Sequence, residues 1–268
     1  MSKVDKKYNF LKPIKNSNLT RIGRDEDGGY IVDSNILKKT NNLLSFGLGS
    51  DWSFEIDYLR QNNRGKVHVY DHTVNILVYL GPLLKCFKRF ITFRKSFKDL
   101  IARYNDFVKY LKFINNKNIL FVKKKAVTKI TQEKKEIDIK KALEQIGFSN
   151  NVIFKIDIEG DEYSLIDEIE KHSKLIDTLI IEFHEIDQNE NIFVDGLKKL
   201  LDNFDIIHIH GNNHCKDMIL GLPTVVEITF NNKKFRPKEI EYKNEFPLQD
   251  LDFPNNPYEK DLKFSFQD

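Results

Sequence analysis

The feature that most restricts this chain is an alternation of short apolar runs with longer stretches whose apolar residues recur every three or four positions. The runs suit buried strands and the longer stretches suit amphipathic helices, the pattern of a parallel sheet with crossover helices. Strands are predicted at Leu43 to Gly47, Lys66 to Asp71, Asn118 to Val122, Val152 to Ile158, Thr178 to Phe183, Ile206 to His210 and Val225 to Phe230. Helices are predicted at Ser53 to Gln61, Lys140 to Ile146, Tyr163 to His172 and Ile192 to Asn203. A chain of 268 residues holds one such α/β domain plus an insertion and is short for two.

Two regions break the alternation. More than forty residues separate the second and third strands, far more than a bare crossover needs. From Lys85 to Lys125 there are thirteen Lys or Arg against two acids, Asp99 and Asp106, a net of +11 in a chain whose total is +3. Phe90, Phe93, Phe97, Ile101, Tyr104, Val108 and Leu111 fall on one helical face. A basic amphipathic helical insertion is therefore expected at about 73–117. It could recruit an anionic acceptor as a lid, rest on anionic lipid, join two copies of the chain, or be a solvated face. Beyond Phe230 lie four of the seven prolines and little periodicity. An irregular tail packed on the domain is expected over 231–268, with disorder near Asp268.

Cys86 and Cys215 stand far apart and form no metal-binding pair. Two thiols, no apolar leader core in Met1 to Phe10 and no run of ~20 apolar residues together predict a cytoplasmic protein without a transmembrane segment.

The carboxyl ends of parallel strands are where ligands bind in open α/β sheets. Gly47-Leu48-Gly49 follows the first predicted strand, and Asp71 ends the second, twenty-two residues after Gly49. Glycines let backbone approach a ligand closely, and a carboxylate there can accept both hydroxyls of an adenosine ribose. Either feature alone is also an ordinary turn or cap. A dinucleotide site wants a third glycine, where this chain has Trp52, and Asp51 would repel a diphosphate. S-adenosylmethionine carries no phosphate, and its cationic groups tolerate acids. The expected cofactor residues are Gly47, Gly49, Ser50, Asp51, Asp71 and His72. Gly28, Gly29 and Tyr30, in the segment RIGRDEDGGY, read either as a surface hairpin or as a flap over the same site.

Ionisable residues gather after three further strands, in KIDIEGDEY (Lys155 to Tyr163), IEFHE (Ile181 to Glu185) and HIHGNNH (His208 to His214). With FGLGS and DGGY, these runs resemble the FkbM-type methyltransferases, in the family's order and over roughly Arg21 to Phe230. The resemblance implies a Rossmann-like seven-stranded methyltransferase sheet, S-adenosylmethionine as donor and usually O-methylation of a sugar or glycan. An anionic, nucleotide-linked or lipid-linked glycan suits the basic insertion; nucleic acid is not the expected partner.

Such transfer needs alignment of donor and acceptor and removal of a hydroxyl proton. His184 is the first candidate base and Asp157 the second, each with the alternative of a strand-end bond or helix cap. His210, Asn212 and Asn213 are candidate acceptor contacts. A second version places a divalent ion such as Mg²⁺ on Asp157, Glu159, Glu182 and His184, with Asp161 nearby. Asn255-Asn256-Pro257-Tyr258 looks like a signature of amino-group methyltransferases but stands in the wrong place in the chain, and reads as a proline turn. Two other functions remain open: a nicotinamide-dependent sugar oxidoreductase and a non-catalytic polyanion-binding module.

Overall fold

A computed structural model describes residues 1–147 and 151–267. Seven strands form the main sheet: β1 (Asn42–Phe46), β2 (Lys66–Tyr70), β3 (Ile119–Val122), β4 (Val152–Ile156), β5 (Ile176–Phe183), β6 (Phe204–Gly211) and β7 (Val226–Asn232). Their order is β6-β7-β5-β4-β1-β2-β3. All neighbouring pairs are parallel except those of β7, which runs antiparallel to β5 and β6. This is the Rossmann-like seven-stranded sheet expected for methyltransferases, with its order reversing between β1 and β4, the switch point at which ligands bind.

The central strands are mainly apolar because both faces are covered. Leu44, Phe46, Phe154, Ile156, Ile181 and Phe183 point to one core, shared with helices α4 (Ile139–Ile146), α5 (Ile166–Lys171) and α6 (Glu190–Asn203). Leu43, Val67, Val69, Ile153 and Ile180 point to the other, shared with Phe54 and Tyr58 of α1 (Ser53–Gln61). The predicted helix from Tyr163 opens as a 3₁₀ turn, Glu162–Leu165, before α5.

The insertion is two helices rather than one: α2 (Ile76–Ile91) and α3 (Phe97–Ile114). The three-and-four spacing of aromatic residues runs across the break, which is why the sequence reads as one face. A capping box between Ser96 and Asp99 starts a new helix there. Phe93 sits in the intervening turn at φ 55° instead of on a helix face. The two helices pack on each other, with Phe90 and Phe97 rings 5.9 Å apart. At the base, Trp52 stacks on Phe113 at 5.2 Å and Tyr79 on Tyr110 at 4.6 Å, fixing the hairpin to the start of α1.

The tail is less irregular than its composition suggests. Glu245–Phe246 and Phe264–Phe266 make a small sheet with the N-terminal strand Ser2–Val4. Phe246, Phe264 and Phe266 join the core. These strands are two or three residues long, too short to show a period. The expected disorder at Asp268 lies outside the described residues.

Candidate active site

Ladder hydrogen bonds continue past the strand ends and bring three segments to one level. Gly47 N–H donates to Tyr70 O at 3.0 Å, Asp157 N–H to Phe46 O at 2.9 Å and Asp71 N–H to Val122 O at 3.2 Å. The two glycines of the turn serve different ends. Gly47, at φ +83°, lies against Asp157, whose carbonyl oxygen occupies the space a Cβ would take. Gly49, at φ +59°, has nothing within 4 Å of that space. It faces a cavity of about 200 Å³ whose lining includes Gly47, Asp71, His72, Asp157 and Glu159. Lys125 and Asp161 pair at 2.6 Å on the lining.

Asp71 is 6% exposed, and its carboxylate is already engaged. One oxygen accepts the Leu48 and Gly49 amides at 2.8 and 3.1 Å. The other accepts the Thr73 amide and hydroxyl, each at 2.6 Å, and the Val74 amide at 3.2 Å. Burial works against its charge, but the Thr73 hydroxyl and the Leu48 and Gly49 amides outweigh it and hold its pKa below the usual value. Asp71 therefore ties the glycine turn to the end of β2, with both of its oxygens engaged by these donors.

Beside the cavity, Asp157, Glu182 and His184 bring ligand-type atoms within 4.8 Å of one another. Tyr30 opens the second strand of a hairpin, Leu19–Ile22 against Tyr30–Asp33, and donates its hydroxyl to Asp157 Oδ2 at 3.2 Å. Lys155, 4% exposed on β4, lies 3.7 Å from the same oxygen. Burial works to lower this lysine's pKa, but Asp157, Glu55 and Glu182 outweigh it and keep the pKa above the ordinary value. Glu182 shows the opposite. Burial, then Asp157 and Glu227, push its pKa well up, against the Asn212 hydrogen bond that pulls it down. Asn212 donates to Glu182 Oε1 at 2.6 Å.

His184 is oriented by a residue that sequence reasoning missed. Fully buried Glu162 accepts the His184 backbone amide at 2.7 Å and lies 3.2 Å from Nδ1 with the same oxygen. Its other oxygen accepts the Gly160 amide at 2.7 Å. An imidazole donating from Nδ1 leaves Nε2 to accept a proton. Nε2 stands 3.6 Å from Glu159 and 3.8 Å from Glu182. Burial lowers the histidine's pKa, but the Glu162 bond and charge, with Asp157 and Glu159, raise it overall. Only the KIDIEGDEY run hinted at Glu162; its burial could not be read.

Other expected residues lie elsewhere. Ser50 and Asp51 line a separate cleft beneath the hairpin, with Trp52, Tyr79 and Arg103. Asp51 accepts the Ser53 amide at 3.3 Å just before α1 and pairs with Arg24 at 3.3 Å. Gly28 and Gly29 pack against Asp51 and Arg21 and do not line the cavity. His210 is enclosed, with Nε2 3.1 Å from Asp261 and Nδ1 3.4 Å from Glu227. Asn213 bonds the tail through Asn256, accepting its amide at 2.6 Å and donating to its carbonyl at 3.0 Å. These two residues fasten the tail and leave no polar atom directed to an acceptor.

The same tail carries Asn255 to the site. Its amide donates to Glu227 at 2.5 Å and to Asp27 at 3.4 Å, and these acids group with Glu182 within 4.8 Å. The Asn255-Asn256-Pro257-Tyr258 segment is thus more than a surface turn.

No family model matches the chain, and no curated protein matches it. Among solved structures it is similar to the Methanococcus jannaschii fibrillarin pre-rRNA processing protein, at 9% identity and TM-score 0.37, over 73% of this chain and 68% of that one. A fibrillarin/Nop5p complex overlaps at 11% identity and TM-score 0.38, over 75% and 79%. An O-methyltransferase from Bacillus cereus in complex with SAH overlaps at 11% and 0.34, over 74% and 80%.

Proposed function

We propose that this chain is an S-adenosylmethionine-dependent O-methyltransferase acting on a sugar or glycan hydroxyl. The observation that carries the proposal is the adjacency of two features at the switch point. A cavity floored by Gly49 and bordered by Asp71 adjoins an acid–imidazole cluster of Asp157, Glu182 and His184. The cavity's acids suit a sulfonium and an ammonium better than a diphosphate.

The cofactor would lie along the Gly49 turn with its ribose toward Asp71. A ribose hydroxyl gains that carboxylate by replacing the Thr73 hydroxyl, the one donor of the five that can rotate away. The methyl group would then face Asp157 and His184. Bound there, S-adenosylmethionine would supply an electrophilic methyl group to the acceptor oxygen, with a neutral thioether as the leaving group. The hydroxyl proton passes to His184 Nε2, and Glu162 stabilises the imidazolium. Asp157, held by Tyr30 and Lys155, orients the acceptor.

A second version adds a divalent cation, favoured by the convergence of Asp157, Glu182 and His184. Two carboxylates and an imidazole are suitable donors, and a cation there would keep Glu182 ionised despite its burial and lower the acidity threshold of a bound hydroxyl.

Calorimetry with S-adenosylhomocysteine and NAD, followed by transfer of labelled methyl to a panel of neutral, uronic and phosphorylated sugars, tests the proposal. Micromolar binding of the thioether alone, about −8 kcal/mol, and label in a base-stable ether support it. NAD binding instead would select the oxidoreductase reading. Chelation and Mg²⁺ restoration decide between the two versions.

A further inference from the structure

We infer that the α2–α3 hairpin is a peripheral membrane anchor that docks on anionic phospholipid through its outer end. The inference concerns a surface away from the proposed active site and stands independently of the reaction assigned there.

The hairpin has two ends of different character. Its base is closed by Trp52, Tyr79, Tyr110 and Phe113 against the domain. Among the described residues no element covers its outer half, and apolar side chains stand in solvent. Phe93 is 97% exposed, Phe97 62%, Leu84 58% and Phe87 50%. Leu84, Phe87, Phe97, Ile101 and Tyr104 line a shallow groove between the two helices whose exposed lining is wholly apolar. A soluble surface rarely groups this many large apolar residues without a partner.

Basic residues ring that groove. Lys85, Lys88, Arg89, Arg94, Lys95 and Lys98 are all exposed on the same outer half. Among the described residues, only Lys95 of these six has an acid partner, Asp99 at 3.9 Å. An apolar stripe flanked by uncompensated cations needs a partner that is both oily and negative. A bilayer of anionic phospholipid supplies both, with acyl chains for Phe93 and Phe97 and headgroups for the lysines and arginines. A second copy supplies the oil but brings the same positive charge. Neither helix is long and apolar enough to cross a membrane, so the hairpin would lie at the interface. None of its residues lines the cavity, which stays open when the tip is docked.

The test is co-sedimentation of the full chain with vesicles of phosphatidylcholine alone and of equal parts phosphatidylcholine and phosphatidylglycerol. Binding is expected only to the second, with release by salt. Combined Lys88→Glu, Arg89→Glu, Arg94→Glu and Lys95→Glu should weaken it more than about a hundredfold, each residue being worth roughly fivefold. Phe93→Ser touches no packed side chain and should weaken it several-fold with unchanged circular dichroism. Phe93→Trp should shift its fluorescence to the blue on anionic vesicles. Failure of the native chain to bind them at low salt, or native-like binding by the fourfold variant, would overturn the inference. So would a concentration-dependent dimer lost in Phe93→Ser, which would give the groove to a second copy. Equal affinity for a soluble polyanion, without the Phe93→Trp shift, would reject lipid as well.

Discussion

The same substitution at two glycines, two positions apart, should give opposite results. In Gly47→Ala the new Cβ meets the Asp157 carbonyl, at a φ of +83° that alanine disfavours. The left-handed backbone alone costs about 1–2 kcal/mol, and β1 or β4 must also shift at their junction. A loss of roughly 3–5 kcal/mol is expected, the scale of core overpacking plus backbone strain. At about 2–4 °C per kcal/mol for a domain of this size, the melting temperature should fall by roughly 10 °C. In Gly49→Ala the Cβ enters open space at φ +59°, so stability should fall by only about 1 kcal/mol. That Cβ projects toward the proposed cofactor, so affinity for S-adenosylhomocysteine should drop at least tenfold, or about 1.4 kcal/mol. Urea unfolding measures the first effect and calorimetry the second. Native affinity in a folded Gly49→Ala protein would show that this turn does not floor the cofactor site.

Three further outcomes follow from the hydrogen bonds and titrations. Thr73→Ala should leave S-adenosylhomocysteine affinity unchanged or improved, whereas Asp71→Asn should weaken it by about 1.5–3 kcal/mol; the reverse order would mean that the ribose does not use Asp71. The raised pKa of His184 implies a rate that climbs with pH through a value above 6.5, and Glu162→Gln should move that limb down while slowing turnover about 10²–10⁴-fold; an unmoved pH profile would remove Glu162 from its positioning role. In the tail, burial raises the pKa of Asp252, but His208 outweighs it and brings the pKa to about 2, a contribution of roughly 2 kcal/mol present above pH 4 and lost as pH falls toward 2. His210, held well above its ordinary pKa by Asp261 and Glu227 against burial, adds stability that is full below pH 6.5 and lost as pH rises through its folded value. Protease cleavage of the tail should therefore be slowest at mildly acidic pH, and Asp252→Asn should remove the acid limb; cleavage independent of pH would show that these pairs do not hold the tail.

What the sequence made legible follows from periodicity. Strands buried on both faces are mostly apolar runs, so the expected Val152 to Ile158 and Thr178 to Phe183 lie close to the observed Val152–Ile156 and Ile176–Phe183. The residues just beyond them, Asp157 and His184, came with those placements. The aromatic spacing continues through Phe93 and reads as one helix face, while the break into two helices is set by the Ser96–Asp99 box. Residues whose role depends on burial could not be seen. Glu162, Lys155 and Glu227 look like surface charges in a chain with 31% charged residues, yet all three are buried. Asp71 was found for its position, but its five donors come from two segments that meet only in the fold. Asn255 reaches Glu227 and Asp27 from the far end of the chain, a contact between residues 228 positions apart in the case of Asp27.

The most direct measurement is a crystal structure of the chain grown with S-adenosylhomocysteine. The account predicts density in the cavity over Gly49, with a ribose hydroxyl on Asp71, the Thr73 hydroxyl turned away, and sulfur directed toward Asp157 and His184. Ligand in the cleft lined by Ser50, Asp51 and Trp52, or an empty cavity at saturating ligand, would contradict it.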